Sequence, residues 1–400
     1  MELREEAKNL PVAGEYDVVV CGGGVAGVSA ALAAARTGAR TLLLERGFLL
    51  GGLATAGLVT IYLPLCDGMG HQVSFGIAEE LLRLSVRYGM ERWNGRTDSA
   101  WLTPGREAAR QTERFEVRFN AQMFAILCEQ LLLENGVTLL YGSTLCAALT
   151  EQGRITAVVT ENKTGRQAFT ARSFVDATGD ADLCRAAGAE TAEFRQGNVL
   201  ASWYYELRDG NFDLHMLGFS DVPDKQKPAD AADTRRRYRG LEAEELSGMV
   251  CDSHANLLRD FLKHGGISDG HALATVATIP QIRMTRRIAG AYTLDDTQIR
   301  TYFPDSIGMV SDWRKNGPVY EIPFRCLYGT VPNLITAGRC ISVTDAMWDI
   351  TRVIPDCAVT GQAAGTAAAL TGDFPSLKAE NLQRQLTADG VRLHPADAGL

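Results

Sequence analysis

Three glycines near the N-terminus have the spacing of a turn that binds a dinucleotide. Gly22, Gly24 and Gly27 form a G-x-G-x-x-G pattern, with Val25 and Ala26 between the last two. In such a turn the first glycine permits a tight bend, the second lets backbone approach a pyrophosphate, and the third lets the helix close on the strand. Free N–H groups and the dipole at the helix N-terminus favour the anion. The pattern therefore predicts a pyrophosphate site.

The segments around these glycines support that interpretation. Residues 16–21 are a β-branched run of strand length, residues 28–36 are rich in helix formers, and residues 39–45 form a second apolar run that ends in Glu45. A lone glycine motif also occurs in plain α/β packing, but strand, helix and acid follow here in the order of a βαβ unit. We expect Glu45 to accept hydrogen bonds from the ribose hydroxyls of an adenosine.

A second glycine-rich stretch follows at residues 46–57. Glycine lets backbone run close to a ligand, because no bulky side chain holds it away. We predict that Arg46, Gly51, Gly52 and Thr55 bind the nucleotide. The alternative is a flexible surface loop, which the apolar residues in this stretch disfavour.

The composition is that of an ordinary globular protein. Of its 400 residues, 46% are apolar and 22% are charged. A chain of this length can form two domains, or one domain with an inserted cap. The net charge of −8 argues against a general nucleic-acid or anionic-membrane surface. The run 235–239 is basic, but glutamates follow it, and we interpret it as a solvated helix of mixed charge.

Nine cysteines show neither a C-x-x-C pair nor a metal-ligand spacing, so we predict no metal site. An odd number of thiols suits a reducing compartment. The N-terminal residues lack the apolar core of a signal peptide, and no apolar run approaches 18 residues. A cytoplasmic protein without a membrane span is the expectation.

The order of elements predicts an α/β fold. Asn120 can cap a helix over 121–134, a strand follows at 137–141, and a hairpin and another strand continue to residue 176. Between about 190 and 329 this alternation stops and aromatic residues cluster. We predict a Rossmann-type nucleotide-binding domain, with a parallel sheet and helices, and a mixed α+β cap or substrate domain. Their ranges are 12–75, 120–189 and 330–400 for the first, and 76–119 and 190–329 for the second.

Several later motifs recur in a known order. They are the segment 176–179, an arginine-rich segment at 283–290, the segment 338–342, and the pair 352–353 followed by 361–365. Together with the glycine turn they give the sequence its resemblance to FAD-dependent oxidoreductases that share the glutathione-reductase-type nucleotide fold. The matches span nearly the whole chain, and their order and spacing point to FAD rather than NAD.

The resemblance implies a distribution of FAD contacts. Ala177, Thr178 and Gly179 are expected near the pyrophosphate and adenosine, with Leu145 over the adenine by fold analogy alone. Gly338 and Arg339 are expected at the second phosphate or the ribityl chain. The helix after Pro355 is expected to point its N-terminus at the flavin, where a helix dipole or a cation stabilises the reduced ring. Its neighbours Arg352, Val353, Gly361 and Ala364 complete the predicted set.

The sequence lacks two motifs that disulfide reductases of this fold carry. Disulfide reductases of this fold carry a second glycine motif for NADPH and a redox-active cysteine pair, and neither occurs between residues 190 and 330. We therefore expect electrons to pass directly between the flavin and a small-molecule substrate, or to a separate electron donor or acceptor.

Three residues are candidates for catalysis. Arg283, in the arginine-rich segment, could hold a carboxylate or carbonyl through its bidentate fork, although a surface role is the alternative. Arg352 could stabilise the flavin edge. His71 could act as an acid or base or attach the flavin covalently, although a lone histidine is more often structural.

The leading functional hypothesis is an FAD-dependent oxidoreductase that transfers a hydride between flavin N5 and a small organic substrate. One alternative is a flavin-bearing electron-transfer subunit of a larger redox complex. A second is an NAD-dependent dehydrogenase that uses only the first motif, and a third is a non-redox role for bound FAD. The sequence does not identify a substrate.

Overall fold

The computed structural model describes Leu3 and residues 9–218 and 236–400 of the chain. Its strands are β1 (Val12–Cys21), β2 (Thr41–Leu44), β3 (Ile61–Tyr62), β4 (Val117–Arg118), β5 (Thr138–Leu140), β6 (Thr144–Glu151), β7 (Arg154–Asn162), β8 (Gly165–Asp176), β9 (Thr191–Glu193), β10 (Ser202–Arg208), β11 (Asn211–Leu217), β12 (His271–Val276), β13 (Arg286–Ile288), β14 (Ser306–Ser311), β15 (Val319–Pro323) and β16 (Leu334–Thr336). Its α-helices are α1 (Val25–Arg36), α2 (Ile77–Ser85), α3 (Ala121–Glu134), α4 (Asp182–Ala186), α5 (Ala243–Lys263), α6 (Asp345–Thr351), α7 (Ile354–Leu370) and α8 (Ala379–Ala388).

The largest sheet carries the predicted parallel core. Its order is β5-β2-β1-β8-β7-β6, and β16 pairs with the end of β8. Strands β5, β2, β1, β8 and β16 run parallel, whereas β7 and β6 form an antiparallel hairpin on β8. At the carboxyl edge, Cys21 pairs with both Leu44 and Asp176. This arrangement confirms the predicted α/β class, because helix crossovers join neighbouring parallel strands.

Two helices from opposite ends of the chain pack closely beneath this sheet. A Cβ atom at Gly361 of α7 would collide with the backbone oxygen of Ala26 in α1, and one at Gly365 would collide with that of Ala30. Most of α7 is buried, and its sequence is dominated by alanine and glycine. Small residues are therefore required at these positions because the two helix backbones nearly touch.

The segment after residue 190 contains smaller sheets. Strands β11, β10 and β12 form an antiparallel sheet against which α5 packs, and β13 pairs with β9. The side chain of Asn198, fully buried, connects distant parts of this region. Its Oδ1 accepts hydrogen bonds from the backbone N–H groups of Arg283 and Met284, while its Nδ2 donates to the carbonyls of Met284 and Tyr238.

One sequence interpretation was wrong. The described part of the basic run, residues 236–239, is not helical, and α5 begins only at Ala243. Tyr238 is buried and forms a β-bridge with Asn198, so tertiary packing outweighs the local helix preference. Arg235 lies outside the described residues.

In the described part of the chain, no helix combines the length and apolar character needed to cross a bilayer.

Candidate flavin site

A cleft opens where the carboxyl ends of β1, β2 and β8 meet. The glycine turn at 22–24, Glu45 and Ala177 follow these three strands directly, and all of them line the cleft. Parallel strands leave such a crevice at their carboxyl ends, which is where open α/β sheets bind ligands. The fold therefore places the predicted pyrophosphate turn at the expected edge of the sheet.

The glycines of the turn differ in what surrounds them. Gly22 has φ of +103°, and a Cβ there would collide with the backbone of Ala177. A Cβ on Gly27 would collide with the Gly22 carbonyl oxygen. By contrast, a Cβ on Gly24 would meet no protein atom within 4 Å. Packing thus explains the first and third glycines, whereas the second faces open space at the N-terminus of α1.

Glu45 organises the backbone beside the turn. One carboxylate oxygen accepts a hydrogen bond of 2.7 Å from the N–H of Gly23, and the other accepts one of 2.6 Å from the N–H of Gly47. A carboxylate oxygen has two lone pairs, so each can still accept a ligand hydroxyl. Glu45 thereby fixes two glycine loops in addition to any contact with a nucleotide.

The cleft brings together most of the residues predicted to bind the cofactor. Those that line it are Gly22, Gly24, Val25, Ala26, Glu45, Arg46, Gly51, Gly52, Leu145, Ala177, Thr178, Gly179, Arg339 and Arg352. The other predicted residues, all within the described chain, lie outside its lining: Gly27, Thr55, Gly338, Val353, Gly361 and Ala364.

Local packing accounts for the residues outside the lining. Thr55 is buried and its hydroxyl donates to the Leu50 carbonyl, so it holds the glycine-rich loop from within. Gly338 packs its backbone against the side chain of Ala26, and Ala364 is fully buried in the helix layer. A supporting role beneath the cleft fits these contacts, and direct cofactor binding by them stays a prediction.

Arg339 joins the sheet edge to the segment after residue 190. Its Nη1 donates hydrogen bonds to the carbonyl oxygens of Ile282 and Arg283, at 3.0 and 2.7 Å. Its Nη2 lies 3.4 Å from a carboxylate oxygen of Asp180. The guanidinium of Arg339 is therefore held on both sides, and it lines the cleft where the two parts of the chain meet.

Arg352 lines the cleft just before α7, but its charge is already partnered. Its Nε and Nη2 donate to one oxygen of the buried Asp349, at 3.0 and 2.6 Å, and its guanidinium lies 5.7 Å from the ring centre of Trp313. Asp349 also pairs with Arg314 at 3.4 Å. Asp349 and Trp313 are both held by the fold, and together they fix the Arg352 side chain in one orientation.

The first turn of α7 contains a buried acid. Asp356 is 2% exposed, and its Oδ2 has no hydrogen-bond partner among the described residues. Burial raises the pKa of Asp356 well above its usual value, and the negative charge of Asp312 raises it further. Both effects favour the neutral carboxyl, which would leave the positive dipole at the N-terminal end of α7 uncompensated by this side chain.

A family comparison identifies the fold. The family model described as FAD dependent oxidoreductase matches residues 17–202 and 205–386 of the chain. The chain belongs to the FAD-dependent oxidoreductase family. This oxidoreductase is accordingly a flavoprotein with FAD as its cofactor.

Solved structures give weaker similarities. One is a geranylgeranyl bacteriochlorophyll reductase-like protein from Thermoplasma acidophilum, with 13% identity, a TM-score of 0.44, and coverage of 94% of this chain and 82% of that one. Another is p-nitrophenol 4-monooxygenase from Pseudomonas putida, with 12% identity, a TM-score of 0.46, and coverage of 96% and 92%. At these levels, neither the reaction nor the substrate of those proteins transfers to this oxidoreductase.

The cleft of the oxidoreductase fits FAD in its chemistry. The open side of Gly24 leaves a cradle next to the free N–H groups of α1, which is a suitable place for a pyrophosphate. The N-terminal residue Ile354 and the neighbouring Cys357 of α7 line the same cleft. The cleft therefore offers two helix N-termini to a cofactor that carries negative charge on its phosphates and, when reduced, on its flavin.

The three predicted catalytic residues lie in different places. Only Arg352 lines the cleft. Arg283 is buried, with its guanidinium 5.4 Å from the ring centre of Trp203, on an extended segment rather than a helical turn. The Nδ1 of His71 lies 2.9 Å from the Asp67 carboxylate, and His71 is not part of the lining. Catalytic roles for Arg283 and His71 therefore gain no support from their positions.

One wall of the cleft was not predicted from the sequence. Gly240, Leu246, Ile282 and the segment 278–280 line it from the region after residue 190. These residues form no recognisable motif, and only the tertiary fold brings them to the glycine turn.

Asp182 was also not predicted as a residue of the site. It lies in the lining, and burial together with Asp180 and Asp176 raises its pKa to about 6.

Proposed function

We propose that the cleft-lining residues named above hold FAD, and that this oxidoreductase transfers a hydride between the flavin and a small organic substrate. When bound, FAD accepts or donates the hydride. The observation that carries the proposal is the shared cleft, in which the glycine turn of α1 and the start of α7 face a wall from residues 240–282. The cofactor and a second molecule would meet between these walls.

The wall opposite the glycine turn favours an apolar substrate. Leu246, Ile279, Pro280 and Ile282 present mainly hydrocarbon, and Thr278 supplies one hydroxyl. Burial of apolar surface drives binding in such clefts, while a few polar groups fix orientation. We therefore expect a substrate with an apolar body rather than a small, highly charged metabolite.

Arg352 would act on charge rather than on a proton. An arginine stays protonated at all ordinary pH values, so it can stabilise negative charge in the cleft but cannot serve as a base. Its ion pair with Asp349 holds it in position before the cofactor or substrate arrives. Preorganised charge of this kind lowers the cost of developing negative charge during the reaction.

The domain division is part of the same proposal. Residues 12–75, 120–189 and 330–400 would form the FAD-binding domain, and residues 76–119 and 190–329 would form the substrate or cap domain. The hydrogen bonds of Arg339 to the carbonyls of Ile282 and Arg283 support a fixed contact between these two parts.

An anaerobic metabolite screen tests the proposed reaction. Purified protein with its FAD bound is mixed with candidate compounds, and the flavin absorbance reports reduction or reoxidation. We expect a small apolar compound to change the spectrum at a rate that saturates with its concentration. If no compound does so while a protein partner rapidly reduces or oxidises the flavin, the small-molecule proposal is wrong.

A variant then locates the substrate wall. Ile279→Gln should raise KM for the compound found by about tenfold, because lost apolar burial of 1–2 kcal/mol weakens binding by that factor. Flavin content should be unchanged. Ile299→Gln is the matched control, since Ile299 is 43% exposed and lies outside the cleft lining. Equal KM values for the two variants would place the substrate elsewhere.

A further inference from the structure

Three of the six histidines of the chain gather around one buried carboxylate, away from the cleft. Glu206 of β10 is 2% exposed. His215 of β11 approaches it with Nε2 3.1 Å from Oε1, and His271 of β12 approaches with Nε2 2.9 Å from Oε2. His264, just after α5, completes the group. The proposed function uses none of these residues.

Three of these side chains have the arrangement of a metal site. Glu206, His215 and His264 each offer one ligand atom, and these atoms lie within 4.8 Å of one another. Imidazole nitrogen and carboxylate oxygen are ligands that Zn²⁺ takes in tetrahedral sites. We propose that Glu206, His215 and His264 bind a divalent transition metal ion, with Zn²⁺ as the best match.

A second carboxylate supports the two histidine ligands from behind. Asp260 of α5 places Oδ2 3.5 Å from Nδ1 of His215 and 3.6 Å from Nδ1 of His264. Tyr204 donates a hydrogen bond of 2.9 Å to the same oxygen and so fixes the carboxylate. A carboxylate beside a metal-binding histidine accepts the N–H of the nearer ring nitrogen and leaves the other ring nitrogen free for the metal. Asp260 is suited to this positioning role for both rings.

Glu206 is prepared to act as an anionic ligand. Its Oε2 is occupied by His271, which leaves Oε1 facing His215. The buried Nε of Arg208 also lies 3.0 Å from Oε1, so a cation bound at this oxygen would displace the Arg208 guanidinium.

The position of the site indicates a structural role. The ligands come from β10, β11 and the end of α5, so one ion would fasten that helix to the sheet. Strand β12 starts at His271, beside the site, and runs for about 17 Å at 3.3 Å per residue before the cleft-lining segment 278–280. A metal ion here would brace one wall of the cleft without touching the cofactor.

The experiment uses the full chain with FAD bound. The protein is treated with a chelator, dialysed, and titrated with Zn²⁺ alone against a competing chromophoric chelator, with metal content measured by mass spectrometry. We expect one Zn²⁺ per chain, a higher melting temperature with Zn²⁺, and no such effect from Mg²⁺ or Ca²⁺, which prefer all-oxygen sites. Co²⁺ in place of Zn²⁺ should give the visible bands of a low-symmetry, four-coordinate ion.

His264→Gln tests the ligand assignment with little risk to the fold, because His264 is 38% exposed. It should weaken Zn²⁺ binding at least about 10-fold, the loss seen even for outer-shell partners, and remove the Zn²⁺-dependent rise in melting temperature. His254→Gln, an exposed histidine on the same helix, is the matched control and should bind Zn²⁺ normally. Flavin content confirms that both variants are folded.

Two results would overturn the proposal. The first is a wild-type protein that binds no more Zn²⁺ than the His264→Gln variant does. The second is a melting temperature of the wild-type protein that Zn²⁺ leaves unchanged. Both readouts are independent of turnover, so they do not depend on the proposed hydride transfer.

Discussion

Arg339 donates a hydrogen bond of 2.7 Å to the backbone oxygen of Arg283, across the junction between the sheet edge and the region after residue 190. The resemblance predicts Arg339 at the second phosphate or the ribityl chain, whereas Arg283 is a candidate for holding a substrate carboxylate or carbonyl. In the structure only Arg339 reaches the cleft, while Arg283 offers its carbonyl and stacks its guanidinium on Trp203. One arginine thus positions the backbone of the other.

Arg339→Lys should loosen this junction. Lysine keeps the charge but lacks the planar fork that reaches two carbonyl oxygens. Loss of hydrogen bonds from a charged donor should lower the free energy of unfolding by about 1–3 kcal/mol. Urea unfolding of the holoprotein measures the change. Arg325→Lys is the control, because that side chain is 43% exposed and should lose less stability.

Gly24→Val should abolish FAD binding without unfolding the chain. Its backbone is extended, with φ of −65° and ψ of 177°, and a Cβ there meets no protein atom within 4 Å. The added methyl groups would instead occupy the cradle proposed for the pyrophosphate. Flavin absorbance reports occupancy, and circular dichroism reports folding. A Gly24→Val protein that retains full flavin would place the pyrophosphate elsewhere, and Gly248→Ala on α5 serves as a neutral glycine control.

Asp356→Asn should stabilise the protein, increasingly so as pH rises. The pKa of Asp356 is raised on folding, so above the unfolded value of about 3.9 the unfolded chain loses this proton while the folded chain keeps it. The wild type therefore loses up to about 1.4 kcal/mol of stability per pH unit from this group, until pH passes the folded pKa. The asparagine variant has no such loss.

Unfolding experiments at pH 4 and pH 7 measure this effect. The two proteins should be similar at pH 4, and the variant should be more stable at pH 7. Asp389→Asn changes an exposed acid and should show no comparable pH dependence. A variant that is less stable than wild type at pH 7 would mean that the carboxylate is charged and partnered.

Asn198→Asp should be strongly destabilising although it is nearly isosteric. The amide nitrogen donates to the carbonyls of Met284 and Tyr238, and a carboxylate oxygen in its place would face two acceptors. The first oxygen would keep its two N–H donors, but a second buried, charged oxygen without a donor costs more than a neutral unsatisfied group, which costs about 1–3 kcal/mol. Thermal unfolding checks this loss, and Asn211→Asp at the exposed start of β11 should change little.

Local sequence patterns predicted the nucleotide half of the fold well. Asn120 caps α3 by accepting the Met123 N–H at 3.0 Å, and α3 spans the predicted residues 121–134. Turn residues likewise marked the hairpin of β6 and β7, because glycine and its neighbours fix such bends locally. These features depend on residues close in sequence, which is why they can be inferred from one sequence.

Long-range contacts account for what the sequence did not reveal. Glu45 was predicted to meet a ribose, but its hydrogen bonds to Gly23 and Gly47 depend on the path of two loops. The proposed metal ligands Glu206, His215 and His264 come from β10, β11 and the residue after α5, with no spacing typical of a metal motif. Only the tertiary fold brings such groups within reach of one another.

The contact between α1 and α7 has a consequence for how the protein is made. During synthesis the glycine turn and α1 leave the ribosome long before α7, because α1 ends at Arg36 and α7 begins only at Ile354. Until α7 emerges, the backbones of Ala26 and Ala30 lack the glycines that cover them. A nascent chain can therefore form β1 and α1 early, but it acquires a complete cofactor cleft only after α7 has been synthesised.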